Sequence, residues 1–135
     1  RLGWLMYKNG QYMESESYYR KALAVLPYSE EAKFGLILPL AAKGTWNEVI
    51  KLYNQILENN PGSTIALYRL GLVYYERKEW LKAAPLFQKV VDLYPFDYDG
   101  LLMLATTAEN ELSRSRPVAS RISVSTSTLI RYKCA

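Results

Sequence analysis

The sequence predicts an all-α fold, built as a series of stacked antiparallel helix pairs. Two observations carry that reading. Residues 64–97 hold two amphipathic runs back to back. Leu67, Leu70, Gly71 and Tyr74 recur at i, i+3, i+4, i+7, and Trp80, Ala83, Ala84, Phe87, Val90 and Val91 do the same after a polar break at Arg77-Lys78-Glu79. The second observation is a period: Pro27, Pro61 and Pro95 lie 34 residues apart, and each closes such a pair.

Residues 1–29 carry the pattern with its first positions missing. Leu2-Gly3 and Met6 mark the first helix, Ser15, Tyr19 and Ala22 the second, and Asn9-Gly10 the turn between them, because Asn and Gly tolerate a left-handed backbone. Gly3 and Ala22 are expected to let the two helices approach closely. Residues 30–63 form the next pair, with Leu36, Leu40, Tyr53 and Ile56 on the matching places and Lys43-Gly44-Thr45 as the turn. Trp46 parallels Trp80 and Tyr12. Ile37 and Val49 stand where small residues recur elsewhere. Pro39 lies inside the first helix, where it removes one backbone hydrogen bond, so a bend near Gly35–Pro39 is expected.

Residues 64–97 are the fullest pair, and residues 98–111 begin a fourth with Leu101, Leu104-Ala105 and Ala108. There the pattern stops: Pro117 and Arg121 fall where Ala83 and Phe87 would recur. Residues 112–135 read as a poorly packed basic tail rich in Ser, Thr and Arg. A helix over 98–112 is apolar nearly all round, so the tail, a second copy of the chain or a further segment must cover it.

This order of residues resembles the tetratricopeptide repeat, a 34-residue helix–turn–helix unit. Leu67, Leu70-Gly71, Tyr74, Ala83, Phe87 and Pro95 fill the family's signature places, and Val90 stands where Ala is usual. The resemblance covers about residues 1–111. It implies an α-solenoid: seven helices in a right-handed superhelix, with the first helix of each pair lining a concave groove. Such repeats cannot bury their apolar faces alone, so neighbours stack.

In that family, partner peptides lie in the groove. The resemblance places Trp4, Tyr7 and Lys8 there from the first pair, and Glu31, Phe34, Leu38 and Ala41 from the second. From the third come Ile65, Tyr68, Arg69, Leu72, Tyr75 and Glu76, and from the fourth Asp99, Leu102 and Thr106. Most are aromatic or aliphatic, which is the chemistry of an interface anchor. The expected function is therefore a protein–protein interaction scaffold that takes a peptide or partner segment through apolar anchors. A self-assembling module joined through uncapped terminal helices is the alternative. The family's co-chaperones grip a terminal carboxylate with a Lys/Asn/Arg clamp. Arg69 stands at the arginine place, but Ile65, Gly35 and Trp4 replace its companions, so no such clamp is expected.

Composition narrows the remaining classes. The chain has no histidine and one cysteine, Cys134, which removes histidine catalysis, an internal disulfide and a cysteine-based zinc site. No phosphate-binding loop or nucleophile elbow occurs, and no cofactor, metal or small-molecule substrate is expected. The acid pairs Glu14/Glu16, Glu30/Glu31 and Glu109/Glu111 read as solvated helix faces. The net charge of +4 is local: residues 1–112 carry −1, and residues 113–135 carry +5 from Arg114, Arg116, Arg121, Arg131 and Lys133. Nucleic-acid binding by a broad basic face is not supported. RNA or an anionic surface could meet only the tail. No apolar run is long enough to span a membrane, and no leader is visible. Both fit a cytoplasmic setting, though the chain opens in mid-pattern.

Overall fold

The apolar runs fold as helices throughout. A computed structural model describes residues 2–114, and these form seven α-helices and no strand: α1 (Leu2–Lys8), α2 (Tyr12–Val25), α3 (Glu30–Ala42), α4 (Trp46–Asn59), α5 (Thr64–Glu76), α6 (Trp80–Leu93) and α7 (Tyr98–Arg114). The expectations for Pro117, Arg121, Lys133 and Cys134 lie outside the described residues. The chain divides into two units, residues 2–63 with α1–α4 and residues 64–114 with α5–α7.

Within each helix pair the same turn recurs at the 34-residue step. Gly10, Gly44 and Lys78 all adopt positive φ, at 80°, 78° and 62°. Each donates its N–H to a carbonyl three residues back: Gly10 to Tyr7 at 3.0 Å, Gly44 to Ala41 at 3.1 Å and Lys78 to Tyr75 at 2.9 Å. The following N–H reaches five back, from Gln11 to Met6, Thr45 to Leu40 and Glu79 to Tyr74, at 2.8, 3.0 and 2.9 Å. This paired bonding satisfies the last helical carbonyls and reverses the chain in two residues.

Between pairs, the second helix ends with a backbone bond from Leu26 to Ala22, Asn60 to Ile56, or Tyr94 to Val90. A proline follows immediately, at Pro27, Pro61 or Pro95, and cannot continue the helix. The next first helix then needs an N-terminal cap. Ser29 accepts from the Ala32 N–H at 3.2 Å at the start of α3, and Asp97 accepts from the Gly100 N–H at 3.1 Å at the start of α7. Glu30 and Glu31, or Asp99, add negative charge to the first turn, where the helix dipole favours it.

In the first unit, α3 and α4 bury Leu36, Ile37, Leu40, Val49, Leu52, Tyr53 and Ile56. Helix α3 runs on through Pro39, itself buried, to Ala42. The Tyr19 ring of α2 lies between two glycines. A Cβ at Gly3 of α1 would come within 2.7 Å of it, and one at Gly35 of α3 would come closer still. Ser15 is buried and donates its hydroxyl to the Gly3 carbonyl at 2.7 Å, which lets a polar side chain occupy a small, enclosed position.

The close approach expected at Gly3 is therefore present, but the one expected at Ala22 is not, since Ala22 is exposed. The end of α2 is open there, with Val25 and Leu26 exposed as well.

In the second unit, Ala83 and Phe87 of α6 and Leu104 of α7 form the centre of the core, and Tyr68, Leu72, Tyr74, Tyr75, Val91 and Met103 pack around it. Leu104, Ala105 and Thr107 of α7 are buried, whereas Leu101 and Leu102 remain 42% and 46% exposed. Thr107 stays inside by donating its hydroxyl to the Met103 carbonyl at 2.6 Å.

Candidate functional site

The first helices of the pairs bear the residues expected to meet a partner. On α1, the Trp4 and Tyr7 rings lie 5.9 Å apart, the Lys8 ammonium sits 5.4 Å from the Trp4 centroid, and Tyr7 continues to Tyr12 at 5.7 Å. Trp4 is 46% exposed, so an apolar ring braced by its neighbours faces water. On α3, Phe34 meets Tyr53 of α4 edge to face at 6.3 Å and is half-buried, as is Leu38. Glu31 is exposed and Ala41 half-buried.

The second unit gives the better defined surface. Tyr68 packs edge to face on Phe87 at 5.8 Å, and Tyr75 on Trp80 at 5.0 Å. These two tyrosines and Leu72 therefore serve the core with one side and leave the other partly accessible. Ile65, Arg69 and Glu76 of α5 are exposed, as are Asp99 and Leu102 of α7. Burial pushes the Tyr68 phenol above its ordinary pKa, and the nearby Asp99 and Asp97 carboxylates add to the rise.

A residue outside the expected set joins this surface. Asn110 of α7 donates its amide to the Tyr75 hydroxyl at 3.1 Å and to the Thr106 carbonyl at 2.9 Å. It lies one helical turn beyond Thr106, on the stripe that already holds Asp99, Leu102 and Thr106. The apolar pattern fades at Ala108, so the period gives no signal for the next polar residue on the stripe.

The charged residues of the second helices do something else. Glu16 of α2 bridges Lys43 and Arg20, and Arg20 reaches Glu48 of α4 at 2.6 Å. The Lys43 ammonium holds the Glu16 carboxyl below its ordinary pKa against the opposing effect of burial, and the Arg20 guanidinium adds to the lowering. The acid pair Glu14/Glu16 is thus not one solvated face: Glu14 is exposed, and Glu16 ties α2 to the α3–α4 turn.

Among the described residues, no group of His, Cys, Asp and Glu is arranged to hold a metal ion, and no helix is long and apolar enough to cross a membrane.

Comparison with known proteins places this geometry. The tetratricopeptide repeat family model matches residues 1–63 and 40–98. The human protein O-mannosyl-transferase TMTC1 is 30% identical over 111 residues, which is 82% of this chain but 13% of that protein. The chain thus spans a small fraction of that relative's length. Among solved structures, the first tetratricopeptide domain of Spaghetti (RPAP3), bound to the HSP90 peptide SRMEEVD, superimposes with a TM-score of 0.70 at 19% identity, covering 79% of this chain and 85% of that one. YrrB, described as having an unusual peptide-binding site, gives a TM-score of 0.66 at 26% identity, over 75% of this chain and 52% of that one.

Proposed function

The chain belongs to the tetratricopeptide repeat family, and from that premise we propose that it is a protein-interaction scaffold whose first helices receive an apolar or aromatic-anchored segment of a partner. One observation carries this reading. Trp4, Ile65 and Leu102 are large apolar side chains that remain 46%, 55% and 46% exposed on first helices, α1 also holding half-buried Tyr7 against Trp4 and α5 half-buried Tyr68 and Tyr75. Isolated exposed apolar residues are ordinary, whereas apolar residues grouped with tyrosines along a helix face are the usual composition of a binding surface.

The solved relatives fit this picture by their own ligands. The RPAP3 domain holds an acidic peptide, and YrrB is described by a peptide-binding site. An acidic C-terminal tail is a poor ligand for the present chain, because Ile65, Gly35 and Trp4 occupy the places of the clamp that would hold its carboxylate. The segment taken here is held by burial of apolar surface.

The test uses peptides selected on the intact chain from a random displayed library. Trp4→Ala and Leu102→Ala remove exposed side chains and leave the core alone. Each is expected to weaken a selected peptide of its own unit about tenfold, the loss typical of an anchor worth about 1.4 kcal/mol. Failure to select any peptide, or selected peptides indifferent to both changes, rejects the reading.

A further inference from the structure

Resting on that reading, we propose that Tyr75 and Asn110 form a donor–acceptor pair that recognises the main-chain N–H and C=O of one residue of an extended polypeptide lying across the Tyr75–Asn110 contact of α5 with α7. The hydrogen bonds already made fix which atoms remain. Asn110 spends its two N–H donors on the Tyr75 hydroxyl at 3.1 Å and the Thr106 carbonyl at 2.9 Å. A carbonyl can only accept, so the Thr106 bond sets the orientation of the Asn110 amide and leaves Oδ1 as its free acceptor. The Tyr75 hydroxyl accepts from Asn110, so its own proton has no acceptor among the described residues. One donor and one acceptor thus stand side by side on a partly buried surface. One residue of an extended chain offers their complement, because its own C=O and N–H point to the same side: the C=O for the Tyr75 proton and the N–H for Asn110 Oδ1.

The surrounding surface favours a main chain over a lone side-chain amide. Leu102 and Asn110 are eight residues apart on α7, about 12 Å along the helix. An extended chain covers that distance in about four residues. One side chain can therefore rest on Leu102, 46% exposed, while the backbone passes Tyr75 and Asn110. The Tyr75 ring is held against Trp80 at 5.0 Å, so the hydroxyl is positioned before the ligand arrives.

The experiment titrates the intact 15N-labelled chain with a decapeptide selected on it from a random displayed library. A series of analogues follows, each methylated at one main-chain nitrogen. Tyr75→Phe keeps the ring and Asn110→Ala keeps the helix, and thermal melting checks that both fold. The expected results are a shifted Asn110 side-chain NH2 pair on binding and about tenfold weaker affinity in each variant. One methylated analogue should lose about tenfold on the wild type and no more than twofold on Asn110→Ala.

Unchanged affinity in both variants, with binding still lost in Leu102→Ala, overturns the pair while leaving the scaffold reading intact. Dependence on an Asn or Gln side chain of the peptide, with no sensitive main-chain nitrogen, also overturns it. If no peptide can be selected, both readings fall.

Discussion

The ring of Phe87 lies against the backbone of Gly71, so close that a Cβ there would sit 2.7 Å from Cε1 and 2.8 Å from Cζ. Phe87 is fully buried and cannot swing aside. Two effects oppose each other in Gly71→Ala. Alanine gains about 1 kcal/mol of helix propensity, and overpacking costs about 1–3 kcal/mol. Steric cost should win, because the obstacle is a ring enclosed on all sides. Urea denaturation is expected to show a net loss of up to about 2 kcal/mol; a variant more stable than the wild type would mean the ring has room to move.

Lys78 occupies a position that Gly10 and Gly44 hold in the two earlier pairs, with φ of 62°. A side chain in that left-handed region is strained by Cβ contact with the backbone. Lys78→Gly should therefore stabilise the second unit by about 0.5–1 kcal/mol despite the added freedom of the unfolded chain. The reverse change, Gly44→Ala, should cost a similar amount. A Cβ there meets nothing within 4 Å, so the loss is one of backbone conformation alone. Thermal melts of the pair of variants moving in the same direction would refute this account.

These positions also mark how far the sequence could be read. Helix pairs and turns were legible because they rest on local signals: the apolar period, Gly10, Gly44, and prolines at a fixed step. The stripe of each first helix that is proposed to face a partner could be placed from the same period. How Tyr68 and Tyr75 divide between core and surface was not, because that depends on Phe87 and Trp80 across the turn. Ala22 misled because the pattern gives its place on α2 and not what packs against it. The Glu16 bridge was hidden by separation, Lys43 lying 27 positions from Glu16 and Glu48 lying 28 from Arg20.

That bridge has a pH signature. The Glu16 carboxyl titrates below its ordinary value of 4.5 in the folded chain. A depressed carboxylate contributes stability that is whole above the unfolded pKa and disappears as pH falls through the folded one. The stability difference between wild type and Glu16→Gln should therefore be constant from neutral pH down to about 5 and vanish in stronger acid. Its size should be modest, about 1 kcal/mol or less, because Arg20 is half-exposed and water screens the pair. Added salt should shrink it further. A difference that persists at pH 2 would assign the effect of the substitution to packing instead.

Tyr75 joins the core to the proposed binding surface, and two substitutions separate those roles. Tyr75→Ala removes a half-buried ring that contacts Trp80 at 5.0 Å and borders the Phe87 core, and should cost about 2–4 kcal/mol. Tyr75→Phe keeps that packing and loses only the hydroxyl that accepts from Asn110, so its cost should be about 1 kcal/mol or less. Asn110 keeps its bond to the Thr106 carbonyl in the phenylalanine variant, which limits the damage further. Capture experiments with Tyr75→Ala therefore confound a lost contact with a loosened second unit, and the phenylalanine variant is the one that reads the surface. Equal stability losses in the two variants would show that the hydroxyl, and not the ring, is what holds α5 to α7.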